Sequence, residues 1–173
     1  MERYLEKSAD VIRVLYHFVS KEDVHVYSID EAFIDLTTYL HYYKKTPLQM
    51  VTMIINQIKN DTGLQATAGI GDNFFLAKVA LDIYAKKERN GIAIVKSNEI
   101  KEKLWPITPL SKVWSIGKRT EARLNALNIF TVKDIATSDI DFLKSKFGVM
   151  GEQLWRHANG IDEADIHEQY EPK

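Results

Sequence analysis

Asp30 and Glu31 stand side by side between two apolar runs, residues 24–29 and 32–37. Both runs are rich in β-branched and aromatic residues, which predicts two strands joined almost without a loop into a tight hairpin. Acids at such a junction project together toward one edge of a sheet, where a hard divalent cation takes carboxylate oxygens. By residue type alone, the same pair also reads as the solvated polar cap of a turn. A second group with chemical potential is Lys78. On the stretch 73–87, Leu76, Val79, Ala80 and Ile83 share one face, and Lys78 falls almost opposite them. That spacing predicts a solvated lysine. A third is Ser115-Ile116-Gly117-Lys118-Arg119. Placed between two helices, its successive backbone N–H groups and two cations make an anion site, with a plain packing turn as the alternative. Gly69-Ile70-Gly71 lacks the third glycine of a dinucleotide fingerprint, so those glycines read as packing residues.

The elements that must position these groups follow from periodicity. Residues 3–20 carry Leu5, Val11, Ile12, Leu15, Phe18 and Val19 at helical spacing. The hairpin at 24–37 comes next, then an aromatic loop or short helix over 39–43 and a helix over 47–60 through Val51, Ile54, Ile55 and Ile58. Residues 64–70 read as a buried strand, 73–87 as a helix capped by Asp72 or Asn73, 92–95 as a short strand and 98–104 as a short helix. This α-ββ-α-β-α-β order is α+β, with helices packed on a mostly antiparallel sheet. Pro106 and Pro109 bracket a boundary, beyond which 118–127, 131–137, 139–146 and 150–159 are all helical. Trp105, Trp114 and Trp155 read as core or inter-domain aromatics rather than base-stacking platforms.

A length of 173 residues, 45% of them hydrophobic, supports one domain or two small ones with a real core. The absence of cysteine excludes disulfides and thiolate zinc sites. No apolar run reaches membrane-spanning length, and Met1-Glu2-Arg3-Tyr4-Leu5-Glu6-Lys7 is too charged for a signal peptide. A cytoplasmic protein is expected.

Ser28-Ile29-Asp30-Glu31-Ala32 closely resembles the SIDEA motif of the Y-family (DinB/UmuC-like, ImpB/MucB/SamB) translesion DNA polymerases. The resemblance continues through Thr67-Ala68-Gly69-Ile70-Gly71, Asn73, Phe75, Leu76-Ala77-Lys78, Ala80 and Asn90-Gly91-Ile92. It resumes at Val113-Trp114-Ser115-Ile116-Gly117-Lys118, Thr120, Leu124 and Leu127. These are three blocks in family order, with the UmuC-like branch the closer fit. The resemblance implies a partial ferredoxin-like palm over 1–108, a helix-hairpin-helix thumb over 109–162 and an acidic linker over 163–173. It implies a two-metal Mg²⁺ site in which Asp30 and Glu31 are catalytic ligands, with Ser28 supporting them and no firm role for Asp35. Lys78 falls where the family binds the dNTP triphosphate. Ser115, Ile116, Gly117, Lys118 and Arg119 fall where the thumb holds a phosphate of primer–template DNA. Ser115 departs from the family's glycine, as does Asn128 from a helix-ending glycine. Residues 109–160 are modestly basic and the tail acidic, which suits a DNA-backbone module followed by a linker.

The family's metal site also takes an aspartate from a strand well upstream of the SIDEA motif, and residues 1–23 read as helix and turn. Fingers and little finger are likewise outside the match. The expectation is therefore a fragment that does not polymerise by itself. Its palm would expose a strand edge able to pair two copies, and the sliding clamp would be reached through regions outside the chain. The intact protein would be an error-prone lesion-bypass DNA polymerase of SOS-type damage repair, moving nucleotidyl groups from dNTP to a primer 3′ end. The alternative is a non-catalytic DNA-binding or scaffolding protein built on a degenerate polymerase core.

Overall fold

A computed structural model describes residues 2–167. Its contacts divide the chain into two units, one of residues up to 68 together with the tail from Ala164, the other of residues 69–163. In the first unit, helix α1 (Glu2–Leu15) turns Val14 and Leu15 onto Met50, Ile54 and Ile58 of helix α3 (Pro47–Thr62). The α3 residues recur every four positions, so they form one stripe, as an amphipathic helix requires. A capping box opens α3: Thr46 Oγ1 accepts the Gln49 N–H at 3.2 Å and Gln49 Oε1 accepts the Thr46 N–H at 2.9 Å. Gly63 closes it at φ +71°, a left-handed conformation that glycine adopts without strain. Helix α2 (Thr37–Tyr43) lies between the hairpin and α3 in sequence.

The hairpin itself is shorter than its apolar runs suggest. Strands β1 (Val24–Val26) and β2 (Ala32–Ile34) pair antiparallel with Val24 opposite Ile34 and Val26 opposite Ala32. Residues 27–31 then form a loop in which the Glu31 carbonyl accepts the N–H groups of Tyr27 and Ser28, each at 3.0 Å. Asp30 and Glu31 therefore sit on a loop, not at a junction between abutting strands. Two amides converging on one carbonyl end the ladder before the apolar run ends. At the open end, Asp35 N–H bonds the Asp23 carbonyl at 2.9 Å, and His167 Nε2 lies 3.6 Å from Asp23 Oδ1.

In the second unit, strand β3 (Ala68–Gly71) leads to helix α4 (Phe74–Val79), which widens into a π turn over Ala80–Tyr84 and tightens at Ala85–Lys87. Strand β4 (Ile92–Val95) pairs with β3, and helices α5 (Ile100–Lys103), α6 (Lys118–Asn125), α7 (Val132–Thr137), α8 (Ile140–Phe147) and α9 (Val149–Ala158) complete it. One core joins Phe75, Leu76 and Val79 of α4 to Leu124, Ile135, Leu143 and Leu154 of the later helices. The boundary expected at 108/109 thus falls inside this unit. The strand expected over 64–70 is confined to Ala68–Gly71, and Leu64 is exposed. Among the described residues, the expected sheet is two separate two-stranded pairs. No helix among them is long and apolar enough to cross a membrane. Residues 168–173, the larger part of the expected acidic linker, lie outside the described residues.

The glycines of β3 are packing residues in the strictest sense. A Cβ on Gly69 would lie 2.1 Å from the Ala77 carbonyl oxygen and 2.3 Å from the Leu81 nitrogen; one on Gly71 would lie 2.3 Å from the Ala77 nitrogen. Strand backbone rests directly on helix backbone. The start of α4 is pinned as well: Asn73 Oδ1 accepts the Leu76 N–H (2.9 Å), Asn73 Nδ2 donates to the Gly160 carbonyl (2.9 Å), and Asp162 Oδ2 accepts the Phe75 N–H (3.0 Å). Buried His157 stacks on Phe75 with ring centroids 4.2 Å apart. We expect Gly69→Ala and Gly71→Ala each to cost about 3 kcal/mol or more, because a backbone contact cannot yield as a side chain does. Gly63→Ala, with open space around its Cβ position, should cost only the left-handed strain, about 1 kcal/mol. Urea unfolding of the three variants measures the contrast.

Candidate active site and nucleic-acid interface

At the hairpin tip, Asp30 is exposed and Glu31 half-buried. Asp30 Oδ1 accepts the Ser28 hydroxyl at 2.7 Å, which orients the carboxylate from one side. The Glu31 backbone is fixed by the two amides on its carbonyl. The loop therefore presents two oxygen-donor side chains from a held backbone, a donor type suited to Mg²⁺. Asp35 is structural: its Oδ1 accepts the Thr37 N–H at 2.8 Å at the start of α2. A separate group of metal-capable side chains, Asp23, Asp35 and His167, has ligand atoms within 4.8 Å of one another at the other end of the hairpin. Tyr39 donates its hydroxyl to Asp23 Oδ2 there at 2.5 Å, and this bond raises the Tyr39 pKa above that of an ordinary phenol.

Lys78, in the second unit, is not the solvated lysine that helical spacing predicts. Its side chain is only 8% exposed, and its ammonium lies 3.2 Å from both Asp82 oxygens. Projection on an ideal helix fails here for a physical reason. The stretch is not a helix with one wet face, since β3 backbone covers Ala77 and Leu81 while the core takes Leu76, Val79 and Ala80. Asp82 completes the pair, and its i,i+4 spacing from Lys78 is the sequence signal that marks it.

The turn before α6 is built around one buried anchor. Ile116 is buried and its N–H bonds the Val113 carbonyl at 3.0 Å, while Ser115, Gly117, Lys118 and Arg119 are exposed. Ser115 sits at φ +74° and Asn128 at φ +61°. Asparagine tolerates that region; for serine it carries strain. Gly117 is the residue before α6, at φ −81° and ψ 166°, with nothing within 4 Å of its Cβ position. The first turn of α6 thus leaves its N–H groups without a side-chain cap, beside two exposed cations. Glu121 Oε1 accepts the Ser111 N–H at 3.1 Å and ties α6 to the preceding segment. Further on, burial pushes the Asp134 carboxyl up, but hydrogen bonds from Phe130 and Thr131 outweigh it and hold the group below the usual carboxylate range. Trp105 and Trp155 are half-buried, donating to the Ala158 and Ser138 carbonyls at 3.0 and 3.1 Å.

The fold is that of a Y-family polymerase palm and thumb. It matches the solved "Dbh Ternary Complex (substrates partially disordered)" with a TM-score of 0.77 over 93% of this chain and 47% of that one, at 24% identity. It matches the crystal structure of DinB from Sulfolobus solfataricus with a TM-score of 0.73 over 92% and 45%, at 23% identity. Residues 1–82 match the impB/mucB/samB family and residues 97–129 the helix-hairpin-helix motif of the same family. The chain belongs to the impB/mucB/samB family. It is 40% identical to a putative UV-damage repair protein, UvrX, of Bacillus subtilis over 166 residues, which is 96% of this chain and 38% of that protein. It is 36% identical to DNA polymerase IV 2 of the same organism, again over 96% of this chain and 39% of the relative.

The left-handed serine yields a simple expectation. Ser115→Gly should stabilise the chain by about 1 kcal/mol by relieving the strain. That corresponds to a rise of about 2–4 °C in Tm for a chain of this size. Calorimetry that shows no rise would mean the turn holds Ser115 at no cost.

Proposed function

We propose that this chain is the carboxylate-bearing palm and the phosphate-gripping thumb of a lesion-bypass DNA polymerase. In the whole protein the reaction is nucleotidyl transfer from a dNTP to a primer 3′ end, in repair of damaged DNA. The observation that carries the reading is the hairpin tip, where Ser28 holds the exposed Asp30 beside Glu31 in the sequence context of the family. Asp30 and Glu31 would supply two oxygen ligands to Mg²⁺, a cation that completes its shell with waters and substrate phosphates. A metal held by these residues would supply Lewis-acid chemistry suited to phosphoryl transfer. Lys78 would meet the triphosphate as a charge-assisted donor. Residues 1–108 serve as part of the palm and 109–162 as the thumb. In the thumb, the backbone N–H groups after Gly117, with Lys118 and Arg119, would hold a DNA phosphate. That contact is indifferent to base sequence.

Two measurements test this. Mn²⁺ as a paramagnetic probe should broaden amide resonances of residues 28–31 first, and Asp30→Ala should abolish that selectivity. Broadening centred elsewhere would refute the ligand assignment. Fluorescence anisotropy with a labelled primer–template duplex should show salt-sensitive, sequence-independent binding. The paired change Lys118→Ala and Arg119→Ala should weaken it about tenfold and reduce the salt slope by about two. Binding unaffected by that change would assign the turn to packing. Duplex binding without Mn²⁺ binding at the hairpin tip would favour the non-catalytic DNA-binding reading.

A further inference from the structure

A lysine ammonium this deeply buried needs a compensating charge close by, because an isolated buried charge is strongly disfavoured. Lys78 has one in Asp82, whose carboxylate keeps more solvent access, at 29% side-chain exposure, than the 8% of the lysine. Both residues lie on a segment whose backbone cannot drift. Ala77 precedes Lys78 and Leu81 precedes Asp82, and the backbones of Ala77 and Leu81 are the atoms that meet Gly69. Asp82 also lies within the π turn, whose widened ladder is closed by the Ala85 N–H on the Ala80 carbonyl. Such insertions occur often at functional sites. Buried ion pairs contribute little net stability, since desolvation offsets their attraction. Ordering a long side chain before a ligand arrives has a larger effect, because a free lysine loses most of its rotamer freedom on being pinned.

We propose that Asp82 is a positioning residue, which holds the Lys78 ammonium extended and in register so that an incoming polyphosphate meets a cation already ordered. An ammonium has three N–H donors, so a phosphate oxygen can share it with the carboxylate. The inference rests on the reading of Lys78 as the polyphosphate-binding lysine.

The test uses the full chain, inorganic tripolyphosphate as the probe, calorimetric titration for affinity and ¹H–¹⁵N spectra of the lysine ammonium groups for the pinned state. Lys78→Met should abolish binding. Asp82→Ala and Asp82→Asn should each weaken it by about tenfold, equivalent to about 1.4 kcal/mol, and should erase the exchange-protected Lys78 ammonium resonance. Asp82→Glu should restore both. A carboxylate that merely stabilised the fold would lower Tm in the Ala variant without coupling affinity to that resonance. Asp82→Asn keeps the shape and one acceptor, and is the deciding variant if Asp82→Ala does not fold. If Lys78→Met abolishes binding while folded Asp82 variants bind as the parent does or more tightly, the positioning role is overturned and the lysine reading stands. If the parent does not bind, or Lys78→Met binds equally well, the lysine reading itself is overturned.

Discussion

Strand β3 lies on α4 backbone against backbone, and most of what the second unit does depends on that contact. Two glycines without side chains let the strand approach to a distance that any Cβ would forbid. The helix is consequently held by main-chain atoms, which cannot repack around a change as side chains do. The same segment carries the Lys78–Asp82 pair and runs on into the π turn. A lysine on an ordinary surface helix would have a mobile ammonium; here the helix, the turn and the carboxylate leave it little freedom.

The three candidate groups differ in how they are held, and the difference follows the chemistry each would do. Asp30 is exposed on a loop and oriented by one hydroxyl, which leaves a carboxylate open to ligand exchange. Lys78 is enclosed and charge-paired, as suits a group that must keep a fixed place. The turn before α6 buries Ile116 and exposes Ser115, Gly117, Lys118 and Arg119, so a single apolar anchor holds an exposed stretch of chain. Recognition by backbone amides asks for no particular side chain, and Gly117 has open space where a side chain would stand.

Much of this was legible in the residues. The helix stripes, a cap at Asp72 or Asn73 and the tolerance of Asn128 for a left-handed φ all rest on local chemistry, and local chemistry is written in short windows. Long-range packing is not. A helical projection places Lys78 in solvent, whereas its side chain is buried and paired with Asp82. The β runs were read too long, since the Glu31 carbonyl draws in two amides and ends the ladder at Val26 and Ala32. Apolar residues on both sides of Pro106 and Pro109 share one core, a long-range contact that the prolines do not reveal. Asp82 escaped notice because a lone acid four residues from a lysine is ordinary until the lysine is known to be buried.

The bonds from Asn73 to Gly160 and from the Phe75 N–H to Asp162 each span 87 residues. Helix α4 is made early in the chain, and Asn73 caps Leu76 locally, but the carboxylate that accepts the Phe75 N–H arrives only after α9. During synthesis, the segment carrying Lys78 must wait, incompletely capped, until nearly the whole unit has left the ribosome. Such closure favours all-or-none assembly over stepwise growth and slows it, as long-range contacts do. A cut in the exposed strap near Ile161 would reverse the process at its last step, freeing the start of α4 while every helix remained covalently intact.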